Sequence, residues 1–426
     1  MNVMDDEKNV VGENLFGNRN FVLILFGQIV SNVGNALFSI AVIWYLMTQG
    51  TEENVGLIMS GFSICMILPY VLVGPIGGAF VDRFDRRKII YMTDLIRGAL
   101  FVVLTGLIYF DIMPIVSIFA VTVLSNGLST FFNASIDASI PNIVGESDLN
   151  KANSYNGISR QLTLIVGSAV AGFLYYYIGF VGVLAINSIS FILSGISEMF
   201  IHFEKQKQEK INFKHILTDM REGIDYIKGH GALLKTVMFF TVLNLIVNPL
   251  YMIVFPKVVK FDLMLTAKEL GIFEAIFSVG AIMGMIVVSK MPVKKSGYTV
   301  FAKTLVAQCL IFLVFGIPIM PVVLDRFSGI QVLWMWSALG VVFAIINALL
   351  NIPLFTILQS RVEDDFRGRV FAMISTLSQA ATPVGFILIG ILSDKVPSWL
   401  LFMICGVLSI LVSFVFLRDK EIKAYW

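Results

Sequence analysis

Residues 55–109 read VGLIMSGFSICMILPYVLVGPIGGAFVDRFDRRKIIYMTDLIRGALFVVLTGLIY. Two long apolar segments, 55–80 and 89–109, flank a short segment, 81–88, in which six of the eight residues are charged. An α-helix needs about 20 mostly apolar residues to cross the hydrocarbon core of a bilayer. Both apolar segments are therefore long enough to span a membrane, and the charged segment is predicted to stay at one membrane surface.

The same pattern continues through all 426 residues, of which 57% are hydrophobic and only 14% are charged. Soluble domains contain about 45–50% apolar and about 25% charged residues. The composition therefore excludes a water-soluble globule, a disordered chain and a nucleic-acid-binding protein. Twelve membrane spans are predicted from the long apolar stretches, at 20–47, 55–80, 89–109, 113–139, 156–178, 181–202, 233–256, 268–289, 299–318, 330–357, 370–392 and 398–417.

Lys and Arg residues are distributed unequally between the two sides of the predicted spans. With the N-terminus in the cytoplasm, 22 of them fall in cytoplasmic segments and five in external segments, which include 257–268. Cytoplasmic loops of membrane proteins carry an excess of Lys and Arg. We therefore expect a multi-pass protein of the cell membrane with both termini in the cytoplasm.

The longest predicted cytoplasmic connection separates the first six spans from the last six. Six apolar residues between Phe213 and Ile227 follow helical spacing and predict an amphipathic helix on the membrane surface or against the bundle. We expect this helix to act as a linker, with a regulatory contact as the alternative. The predicted organisation is a cytoplasmic segment 1–19, a six-helix bundle 20–202, an amphipathic linker 203–232, a second six-helix bundle 233–417 and a cytoplasmic tail 418–426.

The charged segment and the glycines before it resemble a family signature. Gly77-Gly78-Ala79-Phe80-Val81-Asp82-Arg83-Phe84-Asp85-Arg86-Arg87-Lys88 is similar to the cytoplasmic signature of the major facilitator superfamily. Asp85 replaces a usual glycine, as in the macrolide-efflux branch of its drug:proton antiporters. Span 5 departs from the antiporter pattern, because its small residues are not accompanied by the usual proline. Further matches to that branch are Gly27-Gln28, Ser31, Gly34, Asp94, Arg97-Gly98, Ile140-Pro141, Lys151-Ala152-Asn153-Ser154, Gly368-Arg369-Val370-Phe371, Pro383, Gly385 and Gly390.

The resemblance implies an all-α integral membrane protein with twelve transmembrane helices in two pseudo-symmetric six-helix bundles. The signature also has a physical use, since a carboxylate such as Asp82 can bind the positive N-terminal end of span 11 in the other bundle. The basic cluster can pair with acidic residues or with anionic lipid, and orientation signals alone are the alternative. The predicted cytoplasmic latch consists of Gly78, Asp82, Arg83, Arg86, Arg87, Glu363, Asp364, Gly368 and Arg369.

Ionisable side chains inside the predicted spans are candidate functional groups, because they are costly in lipid unless they are paired or hydrated. Asp94 and Arg97 lie three residues apart on one helical face. They can form a structural bridge or part of a proton relay. Asp137 and Arg160 lie near the cytoplasmic ends of spans 4 and 5, where we expect them to pair at the interface.

Glu274 lies about two turns inside span 8, with no basic residue within a helical turn on that span. An unpaired carboxylate suits a group that gains and loses a proton or binds a cationic substrate; a structural hydrogen bond is the alternative. Glu198 and Lys303, near cytoplasmic span ends, are expected to extend to the surface. The candidates for proton coupling are Glu274, Asp94, Arg97 and Asp137.

Amide side chains in spans 1 and 7 are candidates for a substrate cavity. Gln28, Asn32 and Asn35 follow helical spacing and share one face, and Asn244 and Asn248 repeat the pattern in span 7. Such amides either join helices or line a wet cavity, and their equivalent positions in the two halves favour the cavity. The 36 Phe and 19 Met residues can add an adaptable apolar surface.

Other classes of function find little support. No Lys-Ser or Lys-Thr pair follows the glycines of a phosphate-binding loop, and His202, His215 and His230 lack metal-binding spacing. We therefore expect no cofactor or resident metal, and neither an enzyme nor a channel.

The function that we expect is secondary transport, with proton-coupled efflux of amphipathic drugs or similar small molecules by alternating access. The alternatives are a dedicated exporter of one natural product, such as a siderophore, a lipid or a peptide, and a non-transporting membrane sensor or assembly partner. The expected partners are a small-molecule substrate, protons and the lipid bilayer, without nucleic acid. The protein is expected to be monomeric.

Overall fold

A computed structural model describes residues 15–81, 84–144, 148–202, 213–291 and 298–425. Helices make up almost all of these segments, and no β-strand occurs in them. The structure therefore confirms the all-α prediction.

The first six spans lie before residue 203. Spans 1 to 4 are separate helices joined by short connections, whereas spans 5 and 6 lie in one long helix that is interrupted at Gly179 (φ 69°, ψ −178°). Gly167 and Asn187, on either side of Gly179, both lie against residues 34–36 of span 1, so the chain reverses there. The helix bounds are Arg19–Gln49, Val55–Val81, Arg86–Tyr109, Pro114–Ile143 and Leu149–Glu198.

Six more spans follow a linker helix, Phe213–Gly229. Span 7 begins as Gly231–Pro249 and continues through two π-helical turns to Asp262. Span 11 is divided at Ala381 into Asp364–Ala380 and Thr382–Ser393. The remaining helices are Ala267–Ser289 (span 8), Tyr298–Gly316 (span 9), Gly329–Arg361 (span 10), Ser398–Arg418 (span 12) and a short C-terminal helix, Lys420–Tyr425.

The helices account for twelve spans. In the described segments, 11 helices are long and apolar enough to cross a membrane. One of them, Leu149–Glu198, contains two spans. A straight helix of this length would measure about 75 Å at 1.5 Å per residue, more than twice the hydrocarbon core of about 30 Å. The reversal at Gly179 divides it into two spans of ordinary length, which brings the count to twelve.

The side chains of the spans are arranged for a lipid environment. In span 12, for example, Leu411 and Val415 are 55% and 73% exposed, whereas Ser409 and Ser413 are buried. Large contiguous apolar surfaces are rare on soluble monomers. In span 12 these serines therefore face the helix bundle, and the apolar side chains cover its outside.

The two faces of the molecule are distinguished by the chain ends. Because the number of spans is even, both described chain ends lie on one face, which we call the terminal face; there Lys235 and Asp419 form an ion pair of 2.7 Å. The other face, which we call the opposite face, carries the connections 50–54, 110–113 and 394–397.

Contacts between the two bundles are close near the opposite face. A Cβ atom at Gly172 of span 5 would lie 2.5 Å from the Ala267 carbonyl oxygen and 3.0 Å from Gly271 Cα of span 8. Gly56 of span 2 approaches Gly390 and Ser393 of span 11 equally closely. Small residues allow such backbone contact between membrane helices, so these two pairs of spans join the bundles.

Candidate functional site

A cluster of buried charged residues lies inside the first bundle. Asp94 and Arg97 of span 3 form an ion pair of 3.5 Å and are 0% and 2% exposed. Glu198, at the end of span 6, is also fully buried. Asp94 and Arg97 thus form the bridge that was one of the two possibilities for this pair, and a second carboxylate lies beside them.

Two serine side chains connect the carboxylates. The Ser31 hydroxyl of span 1 donates to Asp94 and lies 2.9 Å from the Ser194 hydroxyl of span 6. The Ser194 hydroxyl in turn lies 3.3 Å from Glu198 Oε1 and 3.0 Å from the Gly27 carbonyl oxygen. Spans 1, 3 and 6 are therefore joined by one continuous polar network.

The Arg97 guanidinium is held on several sides. Its Nε donates to the Ser125 hydroxyl at 3.0 Å, and its Nη2 donates to Asn35 Oδ1. Its central carbon lies 4.1 Å from the centre of the Phe191 ring, a geometry in which a cation is attracted by the ring face. Asn35 was expected to line a cavity, and the structure makes it a partner of Arg97.

The expectation that Glu198 reaches the surface is wrong. The side chain packs against span 1 at Gly27, where a Cβ atom would lie 2.3 Å from Glu198 Oε1. The missing side chain at position 27 provides the space that turns the carboxylate inward. The sequence contains one signal for this, since Asn187, Ser194 and Glu198 follow helical spacing and form a polar stripe on span 6.

The second bundle contains a cavity of about 240 Å³. Aromatic rings dominate its wall, and amide groups from spans 7 and 10 provide its polar part. Glu274 lies next to it, because the Tyr251 hydroxyl donates to the Glu274 carboxylate. The lining residues are Val247, Asn248, Tyr251, Phe255, Phe277, Phe312, Phe343 and Asn347.

The environment of Glu274 agrees in part with the sequence analysis. Among the described residues Glu274 forms no ion pair, and its partner is a phenol from span 7. Tyr251 was not identified from the sequence, because it lies on another helix and is one of 12 tyrosines. Only the tertiary structure brings the two side chains together.

The predicted cavity amides have different environments. Asn248 lines the cavity, whereas Asn244 donates to the Ser378 carbonyl oxygen at 3.1 Å and joins spans 7 and 11. Gln28 is buried with neither amide atom hydrogen-bonded, and Asn32 is half-buried. Asn347 was missed, although Asn347 and Asn351 repeat the spacing that identified the other amides.

The predicted interface pair at the terminal face is present. Arg160 Nη2 lies 3.0 Å from Asp137 Oδ1, and both side chains are substantially exposed. The pair is therefore confirmed, while a role of Asp137 in proton coupling remains a prediction.

The structure describes only part of the predicted latch. Asp82 and Arg83, together with the surroundings of Gly78 and the Asp364 side chain, lie outside the described residues. Arg86 donates to the Ala138 carbonyl oxygen at 2.8 Å and Arg87 to that of Met199, both in the first half of the chain.

The latch residues of the second bundle contact the linker helix. Arg369 pairs with Glu222 at 2.5 Å, and the Glu363 amide donates to the Tyr226 hydroxyl at 3.4 Å. Gly368 is exposed. These contacts attach the linker helix to the start of span 11.

A junction that the sequence analysis missed lies on the opposite face. Asp394, after the end of span 11, accepts hydrogen bonds from the Gly56 and Leu57 amides at 2.7 and 3.1 Å and so caps the start of span 2. The Lys257 amine donates to the Glu52 and Ser393 carbonyl oxygens and lies 3.9 Å from Asp394. A carboxylate at a helix N-terminus is electrostatically favourable, so these groups join the bundles.

Span 7 extends beyond its predicted end and includes Lys257. The apolar run in the sequence predicts an end of this span at residue 256 and places Lys257 and Lys260 in the following loop. In the structure the helix continues to Asp262, and Lys257 is only 4% exposed. Backbone carbonyl oxygens from the first bundle and span 11 satisfy its amine, which allows a cation within the helix.

The fold thus has twelve spans in two bundles that enclose polar groups. The family model described as Major Facilitator Superfamily matches residues 24–328. The chain belongs to this family, and the predicted fold class and family are confirmed.

Proteins named as transporters are similar to this chain in sequence or in structure. The chain is 25% identical over 409 residues to macrolide efflux protein A of Streptococcus pyogenes, covering 95% of this chain and 96% of that protein. It is 26% identical over 413 residues to the putative bacilysin exporter BacE of Bacillus subtilis, with 95% and 94% covered. Among solved structures, the nucleoside transporter NupG has a TM-score of 0.72 at 13% identity, covering 95% of this chain and 100% of that chain. This last similarity shows the fold alone.

Proposed function

We propose that this transporter exports amphipathic small molecules from the cell in exchange for protons. The observation that carries the proposal is the aromatic cavity of the second bundle, with the Glu274–Tyr251 pair beside it. The similarity to proteins named as macrolide efflux protein and putative bacilysin exporter supports the outward direction.

The cavity suits one end of an amphipathic molecule. Ligand pockets typically measure about 300–1,000 Å³, so a space of about 240 Å³ holds part of a larger substrate. Rings such as Phe277 and Phe343 provide apolar contact, and Asn248 and Asn347 offer hydrogen bonds. Glu274 is suited to exchange a proton for a basic group of the substrate.

Alternating access is supported by the contacts between the bundles. The junction of Asp394, Lys257 and span 2 holds them together at the opposite face. The excess of Lys and Arg favours the terminal face as the cytoplasmic one. In this proposal the protein acts as a monomer in the cell membrane, and the structure represents its externally closed state.

Reconstituted transport tests the proposal. In proteoliposomes that contain the purified protein, a pH gradient should drive movement of amphipathic substrates. Glu274→Gln should abolish this gradient-driven movement while the variant still inserts into the membrane. Asp325→Asn, which alters an exposed carboxylate on the opposite face, should behave as the parent. Absence of gradient-driven movement by the parent for every substrate of a broad panel would contradict proton-coupled efflux.

The exporter of a single natural product is the second candidate, because one relative is named as a putative exporter of bacilysin. Competition between substrates distinguishes a multidrug exporter from a dedicated exporter. Many unrelated drugs should compete for one site in a multidrug exporter, whereas a dedicated exporter should respond to one chemical class. A membrane sensor would transport none of them.

Labelling with a membrane-impermeant thiol reagent tests the orientation. The native residues Cys65, Cys309 and Cys405 all lie within spans and are replaced by serine for this experiment. Asp325→Cys should react in intact cells, whereas Lys423→Cys should react only after permeabilisation. The reverse pattern would contradict a cytoplasmic terminal face.

A further inference from the structure

The buried charge cluster of the first bundle contains an unbroken row of four oxygen-bearing side chains. It runs from Asp94 through Ser31 and Ser194 to Glu198. Three oxygen–oxygen contacts link these four groups, and the two carboxylates form its ends. The row joins three spans within the interior of the bundle.

The number of protons in this row determines its charge. Each hydrogen bond needs one proton, and the two hydroxyl groups supply two protons for three contacts. The Gly27 carbonyl oxygen adds a further acceptor near Ser194. If both end groups were carboxylates, one contact of the row, either the 2.9 Å contact between Ser31 and Ser194 or the 3.3 Å contact between Ser194 and Glu198, would lack a proton. One carboxylic proton at either end completes the row.

Charge balance leads to the same count. Arg97 supplies one positive charge, whereas Asp94 and Glu198 would supply two negative charges in a region where all three side chains are at most 2% exposed. Glu198 Oε2 and Asp94 Oδ1 are also buried without a hydrogen bond. Burying an oxygen without a hydrogen bond costs less free energy on a neutral carboxylic acid than on a carboxylate. One added proton on Asp94 or Glu198 would also make the net charge of the cluster zero.

Among the described residues, no cation other than Arg97 forms an ion pair with Asp94 or Glu198. Span 1 presents the amides of Gln28 and Asn35, and span 4 presents the Ser125 hydroxyl. Arg87, at the terminal end of span 3, donates to the Met199 carbonyl oxygen next to Glu198. Asp137, further along span 4, already pairs with Arg160.

We propose that Asp94 and Glu198 hold one exchangeable proton between them, which the hydroxyl groups of Ser31 and Ser194 transfer. With the proton on Glu198, its O–H donates to Ser194, Ser194 donates to Ser31, and Ser31 donates to Asp94. When the proton passes to Asp94, each O–H bond breaks and re-forms on the next oxygen, and all three hydrogen bonds reverse. Only O–H bonds change, and no proton is gained or lost within the row.

The direction of the row gives it a role in transport. Glu198 is the last residue of its helix, next to the terminal face, whereas Asp94 lies eight residues into span 3. At 1.5 Å per residue this is about 12 Å along the helix from Arg86. The row therefore leads from the terminal face toward the middle of the bundle. Use of this proton for coupling rests on the proposed function, whereas its presence does not.

Infrared spectroscopy of the purified protein detects the proton without any transport. In a Glu274→Gln background, which removes the carboxyl group beside Tyr251, the protein should show one protonated-carboxyl band that is lost on raising the pH. This band should be absent in Glu198→Gln and equally in Asp94→Asn, because a single carboxylate then balances Arg97. Asp325→Asn, with an exposed carboxylate, serves as the control. An unchanged band in both cluster variants overturns the proposal.

The Ser194→Ala variant tests the transfer along the row and does not depend on replacing a charged group. Loss of the middle hydroxyl should slow exchange of the carboxyl proton for deuterium at least tenfold. Unchanged exchange would overturn transfer through the hydroxyl groups.

Transport assays separate this proposal from the proposed function. If Glu198→Gln lacks the band and also loses pH-driven export, the cluster holds a coupling proton. If the variant lacks the band but retains export, the use for coupling is overturned while proton-coupled efflux stands. If the band is present in the Glu274→Gln background but the parent shows no pH-driven export, the proposed function fails and the shared proton stands.

Discussion

Single small residues decide whether charged groups can be enclosed in this protein. Gly27 makes room for Glu198, because a Cβ atom at position 27 would overlap its carboxylate. Arg97 in turn is placed by several neighbours at once, including Asn35 and Phe191. The partners of these buried charges could not be predicted from the sequence. The sequence shows that a charged residue lies within a span, but it does not show which residue of another helix the side chain contacts.

Gly27→Ala should therefore destabilise the protein. A methyl group at this position would displace the Glu198 carboxylate, and overpacking of this kind costs about 1–3 kcal/mol. Thermal unfolding in detergent measures the effect. Gly106→Ala is the matched control, because a Cβ atom there has no neighbour within 4 Å. Equal unfolding temperatures for the two variants would contradict the buried position of Glu198.

Arg97→Gln should be more harmful alone than in combination with Asp94→Asn. Removing one partner of a buried ion pair costs about 3–5 kcal/mol, because the remaining charge has no counterpart. The double variant lacks both charges and should regain part of this stability. Strictly additive losses in thermal unfolding would show that the two side chains are not coupled.

At the scale of helices, most of the architecture could be predicted and the junctions could not. Long apolar runs identify spans because each must satisfy its own backbone hydrogen bonds in lipid. The continuation of span 7 through Lys257 was missed, since a charged residue ends an apolar run in the sequence. Its partners are carbonyl oxygens far away in the chain, such as those of Glu52 and Ser393.

Asp394→Ala should loosen the contact between spans 2 and 11. Loss of a helix cap costs about 1 kcal/mol, which would raise the population of the open opposite face about fivefold. Ser63 lies on the same face of span 2 as Gly56 and Ser60 and is fully buried. In a cysteine-free background, Ser63→Cys should react faster with thiol reagents when Asp394 is replaced. Asp325→Ala should leave the rate unchanged, and an equal rate in both variants would contradict a closing role of Asp394.

For the whole molecule, the sequence predicted the twelve-span fold and the family. It also predicted contacts between the bundles on the terminal face through Asp82, which lies outside the described residues. The described junction occupies the opposite face instead, where Asp394 binds a helix N-terminus. The junction therefore uses a carboxylate of one bundle and a helix N-terminus of the other, as predicted for Asp82, but on the face for which no such contact was predicted.

Alternating access can be measured as distances between spin labels placed in the two bundles. One label pair, Phe110→Cys and Asp325→Cys, reports on the opposite face, and a second, Lys88→Cys with Gln359→Cys, reports on the terminal face. All four positions are exposed. On addition of a transported substrate with a pH gradient, we expect the opposite-face distance to lengthen while the terminal-face distance shortens. Two distances that stay constant, or that change in the same direction, would contradict alternating access.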